Sequence, residues 1–125
     1  MVSRLASLLD LAVDPHDRRR VLATGGSNLG SGLYESRDGG ETRERVSASL
    51  GRLAWPAHDR LCLTDANGDV LVSADGGRRF EARGSTGDVA AFLGTSAAEL
   101  YVALYDGTIK RSLDGGRTRT IRSAP

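Results

Sequence analysis

Ser36-Arg37-Asp38-Gly39-Gly40-Glu41-Thr42-Arg43 returns as Ser73-Ala74-Asp75-Gly76-Gly77-Arg78-Arg79-Phe80 and again as Ser112-Leu113-Asp114-Gly115-Gly116-Arg117-Thr118-Arg119. The three serines stand 37 and then 39 positions apart. Self-similarity at such a period marks a chain built from one supersecondary unit repeated. The chemistry of the segment points to a hairpin turn. Asp-Gly-Gly supplies positions that tolerate positive φ. The Asp carboxylate accepts hydrogen bonds from backbone N–H groups of its own turn. The Ser hydroxyl and the Thr at the seventh position add further local bonds, and none of this demands a ligand.

Working outward, four strand-length stretches recur in each unit. The first are Leu8 to Val13, Leu50 to Trp55 and Val89 to Leu93, and the second are Arg20 to Thr24, Arg60 to Thr64 and Glu99 to Leu104. Turns rich in Gly, Asn or Asp follow, then third strands at Leu33 to Glu35, Val70 to Val72 and Thr108 to Arg111. Fourth strands fit at Arg43 to Val46, Phe80 to Arg83 and Arg119 to Arg122. Four short strands per unit of about 40 residues predict an all-β chain of three four-stranded antiparallel propeller blades. The blades fall at approximately 5–46, 49–83 and 87–123 of a single repeat domain, 1–125. Only Leu5 to Leu11 offers a helix start.

Composition agrees with a folded domain: 39% hydrophobic and 26% charged residues, with aromatics scarce at 5%. A net charge of +1 does not indicate a nucleic-acid binder. Among 17 basic residues Lys110 is the lone lysine. Cys62 is the only cysteine, so no intramolecular disulfide and no Cys-based metal site is expected, and its strand context reads as a small hydrophobe. No signal peptide is legible at Met1 to Leu9 and no run approaches a membrane span, so a cytoplasmic location without membrane attachment is the expectation.

The repeated segment resembles the Asp-box of bacterial neuraminidase repeats, S-x-D-x-G-x-T-W. By that resemblance Ser36, Asp38, Gly40, Thr42, Ser73, Asp75, Gly77, Ser112, Asp114, Gly116 and Thr118 are structural box residues. Families sharing the box include sialidases, sortilin-type receptors, xyloglucan-hydrolysing enzymes and a photosystem assembly factor. The chain is similar throughout to the C-terminal half of bacterial glycosyl hydrolase or exo-sialidase-like propellers, relatives of which are often exported. In that family the boxes lie on the rim away from the catalytic face, so they imply fold and no activity. Two departures stand out: the aromatic at the eighth position is Arg43, Phe80 and Arg119 here, and the Thr at the seventh is Arg79 in the middle unit. Losing the aromatic forgoes burial unless the Arg stems cover the gap.

Candidate chemistry is sparse. A sialidase-like site needs converging arginines, but Arg18-Arg19-Arg20 would alternate faces along a strand and reads as a solvated loop. Glu99 and Tyr101 share a face by period two, compatible with a paired role or with ordinary strand packing. Glycoside hydrolysis needs two opposed carboxylates; Asp10, Asp14, Asp17, Asp59, Asp65 and Asp88 stand near strand ends, and no motif selects a pair. Asp14-Pro15-His16-Asp17 and His58-Asp59 occupy the same loop in units one and two, with turn chemistry the simpler reading over metal binding. Asp65-Ala66-Asn67-Gly68-Asp69 has the opening of a calcium loop without its later Glu, and Asn-Gly between strands is itself a hairpin signal. The Gly-rich Gly25 to Gly32 lacks the Lys of a phosphate loop and reads as a long hairpin loop open to unit-specific function. No cofactor or metal is expected.

Propellers close with about four to eight blades. Three blades leave two open flanks, for which a homodimer closing a six-bladed ring, a fragment completed elsewhere, or an open stack are solutions, the dimer being favoured. The functional expectation is a non-catalytic module binding a protein or glycan, with a sialidase-like glycoside hydrolase or its truncated remnant, and an assembly or stability factor, as alternatives.

Overall fold

The computed structural model describes residues 5–27, 30–87 and 89–124. Twelve strands fill it: β1 (Leu5–Val13), β2 (Val21–Ser27), β3 (Gly32–Ser36), β4 (Glu44–Ser47), β5 (Arg52–Ala57), β6 (Arg60–Thr64), β7 (Asp69–Ser73), β8 (Glu81–Ser85), β9 (Val89–Gly94), β10 (Leu100–Leu104), β11 (Ile109–Ser112) and β12 (Thr120–Ser123). They pair in sequence order as three antiparallel four-stranded sheets, β1–β4, β5–β8 and β9–β12. No helix occurs among the described residues, and the stretch from Leu5 that offered a helix start is the first strand. β5 lies between β1 and β9, so the leading strands of the three sheets stand side by side.

Strand limits differ from the sequence reading where side chains take up backbone groups at the strand ends. β5 starts at Arg52 rather than Leu50, because the Gly51 carbonyl is taken by the Thr24 hydroxyl of the preceding sheet at 2.6 Å. It continues through Pro56, which has no N–H to donate, and the ladder register shifts between Ala54 and Ala57 around it. The fourth strands begin one residue late, at Glu44, Glu81 and Thr120, because each turn holds its seventh residue back. Thr42 N, Arg79 N and Thr118 N donate to the Asp carboxylate four positions earlier, each at 2.9 Å.

Alternation along the strands gives each sheet two apolar faces, and the core lies in the seams between sheets. The first seam joins Leu22 and Leu33 to Leu53, Trp55, Leu61 and Leu63, with Phe80 packed against them. The second joins Ala54, Cys62 and Val72 to Leu100 and Phe92. Side chains also tie blade to blade through the backbone: Leu53 N donates to Asp10 Oδ2 at 2.7 Å, capping a donor on the edge of β5 that no strand pairs.

The middle turn shows how hairpin and seam are coupled. Ser73 Oγ accepts from Gly77 N at 2.9 Å and donates to Asp75 Oδ1 at 2.7 Å. Gly77 has φ of 93°, and a Cβ there would sit 2.3 Å from Leu33 Cδ2 of the first sheet. Ser73→Ala leaves the buried Gly77 N–H without its acceptor, a loss of about 1–3 kcal/mol. Gly77→Ala adds backbone strain and a clash with Leu33, so the urea midpoint is expected to fall further for Gly77→Ala than for Ser73→Ala.

Candidate functional site

Because the strands run up and down in order, the 14–20 loop and the three Ser-x-Asp-Gly-Gly turns share one end of the molecule. The 65–68 and 105–108 turns and the inter-blade connections share the other. The turn end is chemically self-contained. Ser36 Oγ, Ser73 Oγ and Ser112 Oγ each accept from the Gly four positions on, Gly40, Gly77 or Gly116, at 2.8–2.9 Å. Each also donates to its Asp, Asp38, Asp75 or Asp114. Hydroxyls of Thr42 and Thr118 close on the far carboxylate oxygens of Asp38 and Asp114. The Thr42 hydroxyl and amide bring the Asp38 carboxyl down to about 2. The same partners from Thr118 hold Asp114 lower still. Arg79 offers Asp75 only a backbone N–H, which also lowers it. Carboxylates held so firmly ionised have no proton to donate near neutral pH.

At the same end the first seam holds a charged network that sequence reasoning missed. Asp14, with no side-chain exposure, accepts from His16 N at 2.8 Å, and its Oδ2 lies 2.7 Å from His58 Nδ1 and 3.6 Å from Arg20 Nη1. Arg20 also reaches Glu35 Oε2 at 3.1 Å, and its guanidinium lies 5.2 Å from the Trp55 ring centre. Arg37 and Arg78 approach the other Glu35 oxygen. Burial opposes ionisation of Asp14 and Glu35. At Asp14 the His16 amide, His58 and Arg20 outweigh it, and at Glu35 Arg20 and Arg37 do, so both carboxyls titrate below their ordinary values. Arg20 is therefore no solvated loop residue: its side chain is 16% exposed and clamped between two carboxylates. Arg19 instead points to solvent beside Asp17, and the three consecutive arginines do not converge. The rings of His16 and His58 meet edge to face, 5.8 Å apart. Among the described residues no group of three His, Cys, Asp or Glu side chains is arranged to hold a metal ion.

The opposite end is where the three blades converge on one side chain. Arg52, at the start of β5, donates to Leu9 O of β1 at 3.1 Å and to Tyr105 Oη, beyond β10, at 3.3 Å. A groove of about 190 Å³ opens beside it, walled by Leu9, Leu50, Val89 and Tyr105 with Asp65 at its edge. Asp65 Oδ1 accepts from Asn67 N and Asp69 N, both at 3.0 Å, as a hairpin turn requires. The remaining candidates are scattered. Tyr101 Oη donates to Glu99 Oε1 at 2.9 Å on the third blade, remote from Arg20 on the first. Asp10 is engaged by Leu11 N and Leu53 N. Asp59 is exposed in the β5–β6 turn. Asp88, and Asn28 and Leu29 of the Gly-rich loop, lie outside the described residues. The carbonyl of Gly30 in that loop receives the Tyr34 hydroxyl. Burial pushes the Cys62 thiol up to about 11, against the pull of Arg60 and Arg83, so it stays a thiol.

YCF48 bound to D1 peptide superposes with a TM-score of 0.79 at 19% identity, over 99% of this chain and 44% of that one. A chain of a nidogen/laminin complex gives 0.76 at 18%, over 94% and 48%. The xyloglucanase from Xanthomonas campestris gives 0.72 at 17%, over 94% and 19%. The three sheets are propeller blades. The chain spans less than half the length of each of these structures, and at such identities the likeness is one of fold. No protein-family profile matches the sequence, and no curated protein matches it.

The depressed carboxyls of the first seam set an acid limit. Asp14 and Glu35 have folded values below their ordinary 3.8 and 4.5. Their stabilisation is complete above those unfolded values and drains as pH falls through the lower folded ones. Asp14→Ala leaves Arg20 and His58 facing a gap, and a loss of about 3 kcal/mol at neutral pH is expected. Urea titrations of wild type and Asp14→Asn/Glu35→Gln should differ at pH 7 and converge as the pH falls below 4.5 and then 3.8, through the lowered folded values.

Proposed function

We propose that this chain is a non-catalytic propeller module of the Asp-box type that binds an extended protein segment in the groove beside Arg52. The observation that carries the reading is the convergence of three blades on that guanidinium. Arg52 is held by two neutral oxygens, Leu9 O and Tyr105 Oη, and makes no ion pair among the described residues. A fixed cation at the mouth of an apolar groove suits a backbone carbonyl or carboxylate flanked by apolar side chains. That one similar propeller was solved with a peptide bound, and another in a protein complex, supports a polypeptide over a glycan. The carboxylates that glycoside hydrolysis would use support the same choice: Asp10, Asp14 and Asp65 are each taken up in blade or turn contacts.

The reading extends to assembly. Leu11 and Val13 on the first blade and Leu93 and Ile109 on the third are exposed, Leu93 by 61%. By strand alternation the first pair occupies positions that Leu53 and Trp55 fill in the first seam. We infer that a second copy sets its first blade on the third blade of this one and that the contact repeats to close a six-bladed ring.

A peptide array probed with the purified chain tests the groove. Wild type is expected to retain a set of peptides that Arg52→Gln loses by about tenfold or more. Cleavage of fluorogenic glycosides with no peptide bound would overturn the reading. Light scattering at micromolar concentration is expected to give twice the chain mass and a single chain mass for Leu93→Arg; a heat-stable wild-type monomer would sink ring closure.

A further inference from the structure

The two seams are built alike but charged oppositely. Register places Arg20 and Arg60 at the same point, each one residue before the strand position opposite its turn serine, Val21 with Ser36 and Leu61 with Ser73. It likewise equates Glu35, opposite Leu22, with Val72, opposite Cys62. Counting along the leading strands equates Asp14 with Pro56. Along the fourth strands Val46 of the first blade, which packs on the first core, corresponds to Arg83 of the second. So the second seam keeps the arginine, lacks both carboxylates that neutralise it in the first, and gains another guanidinium in place of a valine.

Two more cations enter that seam from the third blade. Lys110 Nζ donates to Thr86 O at 2.7 Å. Arg119 donates to Arg83 O, Gly116 O and Ser85 O, crossing to β8 where the repeat's aromatic would pack. Those two are satisfied by neutral carbonyls. Arg60 Nε, Arg83 Nε and Arg83 Nη1 are buried with no hydrogen-bond partner. The Arg83 side chain is only 6% exposed, and the one carboxylate near it is Glu81, itself 72% exposed and 3.7 Å away. A guanidinium cannot shed its proton to relieve such burial. Cys62, close enough for both charges to act on it, is held as a neutral thiol and supplies no counter-charge. Orphaned buried donors on fixed cations call for an acceptor that the chain does not provide.

We propose that the seam between the second and third blades binds a small oxyanion, a carboxylate or phosphate, at Arg60 and Arg83, in the role that Asp14 and Glu35 play for Arg20. The site is independent of the Arg52 groove, which lies at the opposite end. Thermal unfolding followed in sodium phosphate and in sodium acetate, against sodium chloride at equal ionic strength, tests it. Wild type is expected to show a saturable rise of about 5 °C at ten times the dissociation constant. Arg83→Met, which keeps an apolar stem, should lose that rise, as should Arg60→Gln, whose position is more open and which decides the matter if Arg83→Met does not fold. Val72→Glu, which restores the first seam's carboxylate, should also abolish it. A rise that never saturates, or that is equal in wild type and Arg60→Gln, would overturn the proposal. A response to phosphate alone or to acetate alone identifies which oxyanion the seam takes.

Discussion

A buried serine hydroxyl that accepts the N–H of a glycine four residues on organises this molecule. The bond from Gly77 to Ser73 forces the chain back on itself between β7 and β8. The turn it makes brings a residue without a side chain against the preceding sheet. There Leu33 fills the space that a Cβ would need, while at the second seam a Cβ on Gly116 would only touch Val70, at 3.4 Å. Hairpin closure and blade packing are thus one constraint. Antiparallel sheets of four short strands bury little alone, so each blade depends on a neighbour whose face the turn helps to shape.

Given that shared frame, a few side chains change what each seam is. Asp14 and Glu35 make the first seam acidic enough to bind Arg20 from inside. Pro56 and Val72 stand at two of the equivalent positions of the second, while Arg83, Lys110 and Arg119 add positive charge there. Replacement of the eighth-position aromatic by Arg119 exchanges apolar burial for two bonds to β8 carbonyls across the seam and one to Gly116 O of its own turn. Phe80, at the same point of the middle unit, still packs on apolar neighbours. One backbone design therefore tolerates both solutions, because the turn bonds are local and do not depend on what fills the seam.

The two ends of the blades divide their labour in consequence. At the turn end the carboxylates are used up by the backbone and hydroxyls that define the turns, which leaves them firmly ionised acceptors. At the other end the turns are simpler and Arg52 spans three blades with oxygen partners of no charge.

The amino-acid sequence alone determined the repeat, the all-β class, the number of strands and the turns, because each of these rests on interactions within about a dozen residues: alternation, Asn-Gly and Asp-Gly-Gly. Its errors at strand ends came from contacts it could not display, such as the Thr24 hydroxyl on Gly51 O. Only the tertiary structure decided which charges meet. Asp14 and His58 lie 44 positions apart and come together because one blade stacks on the next. Arg20 looked solvated for the same reason. Pairing across a seam depends on face and register together, and a shift of one residue in either would turn every one of these side chains the other way.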